Sequence, residues 1–213
     1  MRPVSPNWGY DRGLPIDRWY IERFLRRFAG SDGYIEGDIR GVVMEVGGDE
    51  YALACGREVE RIEVLHADAS NPAATIVGDL VSGEGLPERA YDCVICTETL
   101  HLLYDIHAAV RTLHGTLKPG GVALVTIPSL SRIAPDERDR WGDYWRVTSL
   151  TAERMFGDVF GPGNVQVEPY GNLLAALGSL RGLAAEELAV WELEMRDPEF
   201  EGGIGVRARR APQ

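Results

Sequence analysis

Acidic side chains follow three apolar segments of the sequence, at the points where predicted strands would end. Glu45 closes VVMEV, Asp68 closes VLHAD and Asp79 closes IVGD. A carboxylate has two acceptor oxygens, so Asp68 can hold both hydroxyls of a ribose. Asp79 can accept from an adenine amino group while Leu80 packs on the ring. Three acids in this order predict recognition of an adenosine.

The turn after the first segment reads EVGGDEYALACG and is poor in glycine. Gly47 and Gly48 remain, whereas Tyr51 adds bulk where the backbone would approach a ligand. A nicotinamide dehydrogenase needs a G-x-G-x-x-G turn, which brings backbone N–H groups onto a pyrophosphate. This turn does not supply that pattern, which argues against a dehydrogenase.

Strands and helices that would position the acids alternate from residue 41 onward. Strand-like segments are GVVMEVG, RIEVLHAD, ATIVGDL, YDCVICTETL and VALVTIP. EYALACGREV and DIHAAVRTLHGTL are helical between them, and KPGG stops the second helix. This alternation predicts an α/β fold with a doubly wound, mostly parallel sheet, which binds ligands beyond the carboxyl ends of its strands.

The flanking regions carry their own patterns. Before the first strand, LPIDRWYIERFLRRFAG has an apolar stripe at Ile21, Phe24, Leu25 and Phe28, which predicts a helix ended by Gly30. After the fifth strand, SLSRIAPDERDRWGDYWRVTS is polar and has no clear period. The segments VQVEPYG and GGIGVRARR, each preceded by a helix-like segment, predict an antiparallel strand pair at the sheet edge.

At this point the sequence resembles a known family. VVMEVGG, LHAD, VGDL, YDCVICTETLHLLYD and LKPGGVALVTIP are similar to the successive motifs of class I S-adenosylmethionine-dependent methyltransferases. The similarity is closest to the small-molecule, type 11-like branch, which includes ubiquinone and sugar methylases. The resemblance implies a seven-stranded Rossmann-like methyltransferase sheet and S-adenosyl-L-methionine as the cofactor. The cofactor-binding residues it implies are Glu45, Gly47, Gly48, Asp68, Asp79, Leu80 and Thr97.

The resemblance also implies an organisation of the chain. We expect one methyltransferase domain over residues 1–213, with an N-terminal arm or lid at 1–39 and a cofactor-binding half at 40–128. A substrate-side half at 129–213 would begin with an insertion that covers the substrate. Of the family's usual acid-x-Gly-x-Gly-x-Gly loop only Gly47 remains, with Gly48 beside it. Because these enzymes bind no pyrophosphate there, we interpret the loop as altered but usable.

An N-terminal helix often closes over the cofactor in related enzymes. Arg12, or alternatively Arg18, would then meet the methionine carboxylate of the cofactor. Tyr10 or Tyr20 would form part of the pocket wall.

Methyl transfer to oxygen or nitrogen is an in-line displacement at carbon, which a base can assist by removing a proton. His101 follows the fourth strand and is the first catalytic candidate, with Asp143 as the second. Packing of the His101 ring on a helix face is the alternative interpretation. The reaction requires no metal and no dense His/Asp cluster predicts one; a metal-assisted variant is the alternative, since acids are plentiful.

Aromatic and charged residues alternate in DERDRWGDYWRVTS, after the fifth strand. Trp141, Tyr144, Trp145 and Arg146 are therefore predicted to bind substrate, because aromatic rings beside charges suit a sugar. The alternative is that these rings anchor the segment to the core.

The composition of the chain argues against some classes of binding partner. The chain has 213 residues and a net charge of −11, which disfavours nucleic acid. No apolar run approaches the roughly 20 residues of a membrane helix, and the N-terminus lacks a secretory pattern, so we expect a cytoplasmic protein without membrane contact. Cys93 and Cys96 lie three apart in a strand and should point to opposite faces, which argues against a redox or zinc motif.

The combined prediction is an enzyme that methylates a small polar molecule in small-molecule biosynthesis. The first expectation for the acceptor is an oxygen of a sugar or sugar-containing metabolite. N- or C-methylation of another small metabolite is one alternative, and a non-catalytic methyltransferase-like binding or scaffold protein is the other.

Overall fold

A computed structural model describes residues 2–29 and 37–212 of the chain. The first helix, α1 (Ile16–Arg27), buries Ile21, Phe24 and Leu25, which confirms the predicted apolar stripe. The predicted helix end at Gly30 lies outside the described residues.

A seven-stranded sheet forms the centre of the molecule, in the order β3-β2-β1-β4-β5-β7-β6. The strands are β1 (Gly41–Val46), β2 (Val59–His66), β3 (Ile76–Val77), β4 (Tyr91–Thr97), β5 (Leu117–Pro128), β6 (Val165–Tyr170) and β7 (Gly203–Arg209). β7 is antiparallel to β5 and to β6, and the other neighbours are parallel. The predicted doubly wound, mostly parallel sheet and its antiparallel edge pair are thus confirmed.

The described residues form six further α-helices: α2 (Glu50–Cys55), α3 (Ile106–Thr116), α4 (Pro135–Arg140), α5 (Ser149–Phe160), α6 (Leu173–Arg181) and α7 (Val190–Glu194). The sequence did not predict α4, which has no buried residue and so no apolar stripe to mark it. None of the described helices is long and apolar enough to cross a membrane.

The two faces of the sheet carry separate cores. Met44, Val94 and Phe156 belong to the core that includes α3 and α5, whereas Val43 and Phe24 belong to the core under α1 and α2. Neighbouring strand residues point to opposite faces, which explains the division. The same rule sends Cys93 into one core and Cys96 into the other, and all three cysteines are buried and unpaired.

Candidate functional site

Two segments cover the carboxyl ends of the strands. The first is residues 2–15, the part of the predicted N-terminal arm that precedes α1, which is called the arm from here on. The second is the cover segment (residues 129–147, between β5 and α5). They meet where the Arg132 guanidinium lies 4.0 Å from the centre of the Trp8 ring and donates a hydrogen bond to the Pro6 carbonyl. The strand ends therefore form the floor of a covered crevice.

Glu45 is buried at the end of β1 and holds the following turn. Its carboxylate accepts hydrogen bonds from the backbone N–H groups of Tyr51 (3.2 Å) and Ala52 (2.7 Å). Burial raises the pKa of this carboxyl, while the two N–H donors oppose the shift. Both oxygens are thus engaged by α2, so Glu45 positions the turn that carries Gly47.

The glycine-poor turn leaves open space despite Tyr51. Gly47 has a φ of +91°, and an added Cβ atom would meet nothing within 4 Å. The Tyr51 hydroxyl accepts a hydrogen bond from Arg18 of α1 (3.2 Å), and its ring packs with the core under α1. An added Cβ at Gly48 would clash only with the Glu50 carboxylate, the end of a flexible side chain.

Asp68 lies after β2 with its side chain 47% exposed. It accepts from the Ser70 N–H (2.9 Å), and Arg140 of α4 approaches its other oxygen at 3.3 Å. Hydrogen bonds from Ser70, assisted by Arg140, lower the pKa of Asp68 to about 2. The carboxylate is therefore ionised at neutral pH and accessible, with Arg140 beside it.

The next two strand ends carry the remaining predicted cofactor contacts. Asp79 is exposed and accepts from the Val81 N–H (2.7 Å) and the Ser82 hydroxyl (3.0 Å), which shape its turn. Leu80 is buried in the core that includes α3 and α5. Thr97, at the end of β4, is partly buried, and its carbonyl accepts from the Thr99 hydroxyl.

Glu98 is a site residue to which sequence reasoning assigned no role. It follows β4 with a φ of +45°, a backbone conformation that non-glycine residues rarely adopt outside functional sites and turns. Its N–H donates to the Thr126 carbonyl of β5 at 3.0 Å. Burial, with a smaller contribution from Asp17, raises the pKa of the Glu98 carboxyl to about 7, while Arg18 opposes the shift. The available signal was an acid directly after a fourth apolar strand.

Beside Glu98 lies a polar cavity of about 250 Å³ between the arm, α1 and the cover segment. Its charged and titratable lining consists of Tyr10, Asp17, Arg18, Glu98, His101, Arg132, Glu137 and Asp143. The Arg18 Nε, His101 Nδ1 and Arg132 Nε atoms are buried, and none has a hydrogen-bond partner among the described residues. Buried polar atoms are normally paired, so these three indicate room for a ligand. Burial lowers the pKa of His101 to about 4, so its ring is neutral.

A second, mainly apolar cavity of about 50 Å³ adjoins the first. α1, α6 and the ends of β5, β6 and β7 enclose it. Four residues line both cavities: Trp8, Asp17, Glu98 and Ser131. The Glu98 carboxylate therefore lies where a polar and an apolar chamber meet.

Asp143 reaches the polar cavity but is held by an ion pair. Arg146 donates to both of its oxygens, one at 3.0 Å, and also donates to the Arg132 carbonyl at 3.0 Å. This pairing lowers the pKa of the buried Asp143 carboxyl. The pair fixes the shape of the cover segment next to His101.

The predicted substrate aromatics contact other parts of the protein. Trp141 packs edge-on against His66 at 5.6 Å, and Tyr144 packs against Tyr104 at 5.4 Å. The Trp145 Nε1 atom donates to the Leu103 carbonyl at 3.0 Å. None of these three rings lines either cavity, so their contacts match the anchoring alternative.

The two arginines predicted as alternatives for the methionine carboxylate, Arg12 of the arm and Arg18 of α1, lie in different places. Arg12 pairs with Glu187, after α6, at 2.8 Å on the exposed surface. Arg18, the alternative, lines the polar cavity. Among the described residues, no group of three or more His, Cys, Asp or Glu side chains is arranged to hold a metal ion.

Comparison with known proteins agrees with this geometry. Residues 20–160 match the sequence profile of a family described as a methyltransferase domain. No curated protein has a significant sequence match to the chain.

Solved structures show the same fold at low identity. An S-adenosylmethionine-dependent methyltransferase from Archaeoglobus fulgidus has a TM-score of 0.54 and 11% identity, over 90% of this chain and 92% of that chain. The N-methyltransferase NodS from Bradyrhizobium japonicum, in complex with S-adenosylhomocysteine, has a TM-score of 0.53 and 13% identity, over 97% of this chain and 93% of that chain. From the family match and the strand order together, the chain belongs to the class I S-adenosylmethionine-dependent methyltransferases.

Proposed function

We propose that the protein transfers the methyl group of S-adenosylmethionine to a small acceptor molecule, at an atom held beside Glu98. The observation that carries this proposal is the polar cavity, where the partly buried Glu98 carboxylate lies with three nitrogen atoms that have no hydrogen-bond partner among the described residues, on Arg18, His101 and Arg132. A covered chamber of this kind excludes water and holds reacting groups in line.

The residues present fit the cofactor. The open space at Gly47 admits the part of the molecule that passes the glycine turn, and the accessible Asp68 carboxylate can hold the ribose hydroxyls. The buried Arg18 Nε atom supplies a donor for the methionine carboxylate. When bound, S-adenosylmethionine supplies a methyl group that its sulfonium has already activated.

Glu98 would act as the proton acceptor. Its carboxylate form can take a proton from an acceptor O–H or N–H as the new bond to carbon forms. A pKa near neutral suits this role, because the carboxylate is available yet still basic. His101 stays neutral, so its Nδ1 atom can accept a hydrogen bond from the acceptor molecule and orient it.

The identity of the acceptor is the finer part of the proposal. An oxygen of a sugar or sugar-containing metabolite, the first expectation from the sequence, stays a prediction. The rings on which it depended contact the protein itself, so the cavities support only a small acceptor with oxygen or nitrogen at the reacting position. The division into an arm at 1–39, a cofactor half at 40–128 and a substrate half at 129–213 is likewise a proposal.

Calorimetric titration with S-adenosylhomocysteine tests the cofactor site. Micromolar binding by the wild-type protein supports the proposed enzymatic function. No detectable binding heat at millimolar ligand favours a non-catalytic scaffold that keeps the fold. Asp68→Ala should weaken binding by about 1–3 kcal/mol through loss of charge-assisted hydrogen bonds. The control is Asp158→Ala, which removes an exposed acid paired with Arg154 on α5 and should leave affinity unchanged. Equal affinity of the two variants would refute the ribose assignment.

A further inference from the structure

We propose that a second copy of this chain covers the outer face of α6, with the two α6 helices packed antiparallel across a twofold axis. Three observations carry this inference: the large apolar residues that α6 exposes, the charges at the two ends of the helix, and the absence of charge between them. It goes beyond the proposed methyl transfer and does not depend on it.

The inner face of α6 is made of small residues. Ala175 and Ala176 are buried and line the mainly apolar cavity, and Gly178 packs on α1. An added Cβ atom at Gly178 would meet the Ile16 side chain of α1 at 3.0 Å. The close approach of the two helices therefore requires small side chains on this face.

The large residues of α6 lie on its outer face. Leu173, Leu177 and Leu180 follow the four- and three-residue spacing of one helical face, and Leu174 lies beside them. These leucines are 40–52% exposed. A surface helix normally buries its large apolar residues and exposes its polar ones. The polarity of α6 is thus inverted, and its own fold does not use the leucine face fully.

The neighbouring α7 adds further apolar surface. The Asn172 side chain, at the start of α6, donates to the carbonyls of Glu192 at 2.7 Å and Met195 at 2.8 Å, so α7 lies against this end of α6. Trp191 and Met195 are 65% and 54% exposed. We call the combined surface the α6 patch: Leu173, Leu174, Leu177, Leu180, Trp191 and Met195. Contiguous exposed apolar surface of this kind marks an interaction site.

The α6 patch has the composition of an interface core. A standard interface buries about 800 Å² on each partner and has an apolar centre with a polar rim. Leucines three and four residues apart form ridges that fit the grooves of a second helix. Exposed tryptophan is among the residues that contribute most to binding. The patch therefore fits a helix-to-helix contact with a folded protein.

The charges at the two ends of α6 favour a second copy in the antiparallel orientation. Arg181 is exposed at the C-terminal end, and its side chain has no ion pair among the described residues. Glu192 and Asp197 lie at the N-terminal end, where the Asp197 N–H donates to the Gly171 carbonyl at 3.0 Å. An antiparallel pair brings each Arg181 to the acids of the other copy and opposes the two helix dipoles favourably.

The same charges disfavour a membrane surface as the occupant. The helices α6 and α7 together carry one basic residue, Arg181, and two acids, Glu192 and Glu194. Apolar helix faces that bind anionic membranes carry several Lys or Arg residues, and this chain has a net charge of −11. Two copies that repel each other elsewhere can approach at an uncharged patch.

The midpoint of α6 defines the centre of the contact. A twofold axis makes the interface isologous, so a residue on the axis meets its own counterpart. Leu177 is the central residue of α6 (Leu173–Arg181) and is therefore placed on the axis. In this register Leu174 of each copy lies opposite Leu180 of the other.

The helix α6 also connects the interface to the crevice. Ala175 and Ala176 line the mainly apolar cavity from its inner face. The Arg181 carbonyl accepts a hydrogen bond from the Val4 N–H of the arm at 2.8 Å. A contact on the outer face thus holds in place the helix that supports both a cavity wall and the arm.

The oligomeric state of the full chain tests the proposal. Sedimentation velocity over a range of protein concentrations should show a dimer with a dissociation constant in the micromolar range or tighter. Leu177→Glu places two like charges at the axis and should raise this constant by about thirtyfold or more. The control is Leu150→Glu, at a 72% exposed leucine of α5, which should dimerise like the wild type. Melting temperatures show whether both variants fold.

Cysteine cross-linking tests the antiparallel arrangement. Leu177→Cys should form a disulfide-linked dimer under mild oxidation, because the two thiols meet at the axis. The native Cys55, Cys93 and Cys96 are buried, so the wild-type protein should not cross-link. Leu150→Cys is the matched control and should cross-link only at the rate of random collision.

Three results would overturn the proposal. The first is a wild-type protein that stays monomeric up to about 100 µM, including one that instead binds vesicles of anionic phospholipid. The second is a dimer that Leu177→Glu does not weaken, which would place the interface elsewhere. The third is cross-linking of Leu177→Cys that is no faster than that of Leu150→Cys. Binding of S-adenosylhomocysteine affects none of these results, so this inference and the proposed methyl transfer fail separately.

Discussion

The proposed cofactor side and the proposed acceptor side of the crevice are built in different ways. On the cofactor side, Asp68 and Asp79 accept hydrogen bonds from residues two or three positions away in the chain, Arg140 is a distant contact of Asp68 alone, and both acids reach solvent. On the acceptor side, the Tyr20 hydroxyl donates to the Leu193 carbonyl, and the partly buried Glu98 lies between segments distant in sequence. Local turns thus present the cofactor residues, whereas tertiary packing creates the acceptor chamber.

The largest expected effect is a loss of turnover in Glu98→Gln, which would separate the function of the acceptor side from that of the cofactor side. Glu98→Gln keeps the shape of the side chain but cannot accept the proton, so turnover should fall by about 10²–10⁴-fold. The ribose contact at Asp68 and the turn at Gly47 follow other strands, so affinity for S-adenosylhomocysteine should change by less than about twofold. Steady-state kinetics with an acceptor that the wild-type enzyme methylates and calorimetry measure the two quantities. Glu153→Gln, an exposed acid on α5, is the control.

Equal losses of turnover and cofactor affinity in Glu98→Gln would contradict the comparison. They would mean that Glu98 belongs to the cofactor side. In the wild-type enzyme, kcat/KM should rise with pH through about 7, because the carboxylate is the active form and its pKa is raised to about 7.

The raised pKa of Glu98 should also make the stability of the folded protein depend on pH. The pKa of Glu98 is raised from 4.5 to about 7 by burial, so the folded protein binds more protons than the unfolded chain between these values. Stability from this group is therefore complete at low pH and is lost as pH rises through about 7. Glu98→Gln removes the titration, and its melting temperature relative to wild type should increase by a few degrees between pH 5 and pH 8.5.

Thermal unfolding at both pH values provides the measurement. Asp17, Arg18 and Glu137 face the same carboxyl and stay in place in the variant, so their charges are common to both proteins. A constant difference in melting temperature across this range would show that Glu98 is ionised without penalty, as an acid on the exposed cofactor side would be.

The smallest expected effect concerns the hydrogen bond that joins the glycine-poor turn to α1. Tyr51, from the glycine-poor turn, accepts a hydrogen bond from Arg18 of α1. Tyr51→Phe removes this bond and should lower the free energy of unfolding by about 0.5–1.5 kcal/mol. Urea denaturation measures the change. Cofactor affinity should stay nearly constant, because the ring remains packed away from Gly47; a large loss would instead make Tyr51 part of the cofactor site.

The contrast also explains which features the sequence could reveal. Strand periodicity and acids at strand ends predicted the sheet, Asp68 and the turn at Gly47, because each depends on neighbouring residues. The apolar cavity joins α1, α6, β6 and β7, and no local pattern marks residues that meet only after folding. For the same reason the sequence named Arg12 first for the methionine carboxylate, whereas the structure brings Arg18 to the polar cavity.

Local signals also have more than one physical cause. The aromatic residues of the cover segment matched a sugar site in composition, yet His66, Leu103 and Tyr104 account for their contacts. Glu98 carried the same signal as Asp68, an acid after a strand. Its significance depends on burial, which the sequence of the strand alone does not reveal.

The meeting of Trp8 and Arg132 has a consequence for how the chambers fill. Trp8 borders both cavities, and its ring is clamped by an arginine from a segment more than a hundred residues away. A molecule that pushes this indole aside on entering one chamber alters the space left in the other. Occupancies linked in this way are reciprocal, so each ligand must change the affinity for the other by the same factor. Trp8 would thus couple binding of the methyl donor to binding of the acceptor.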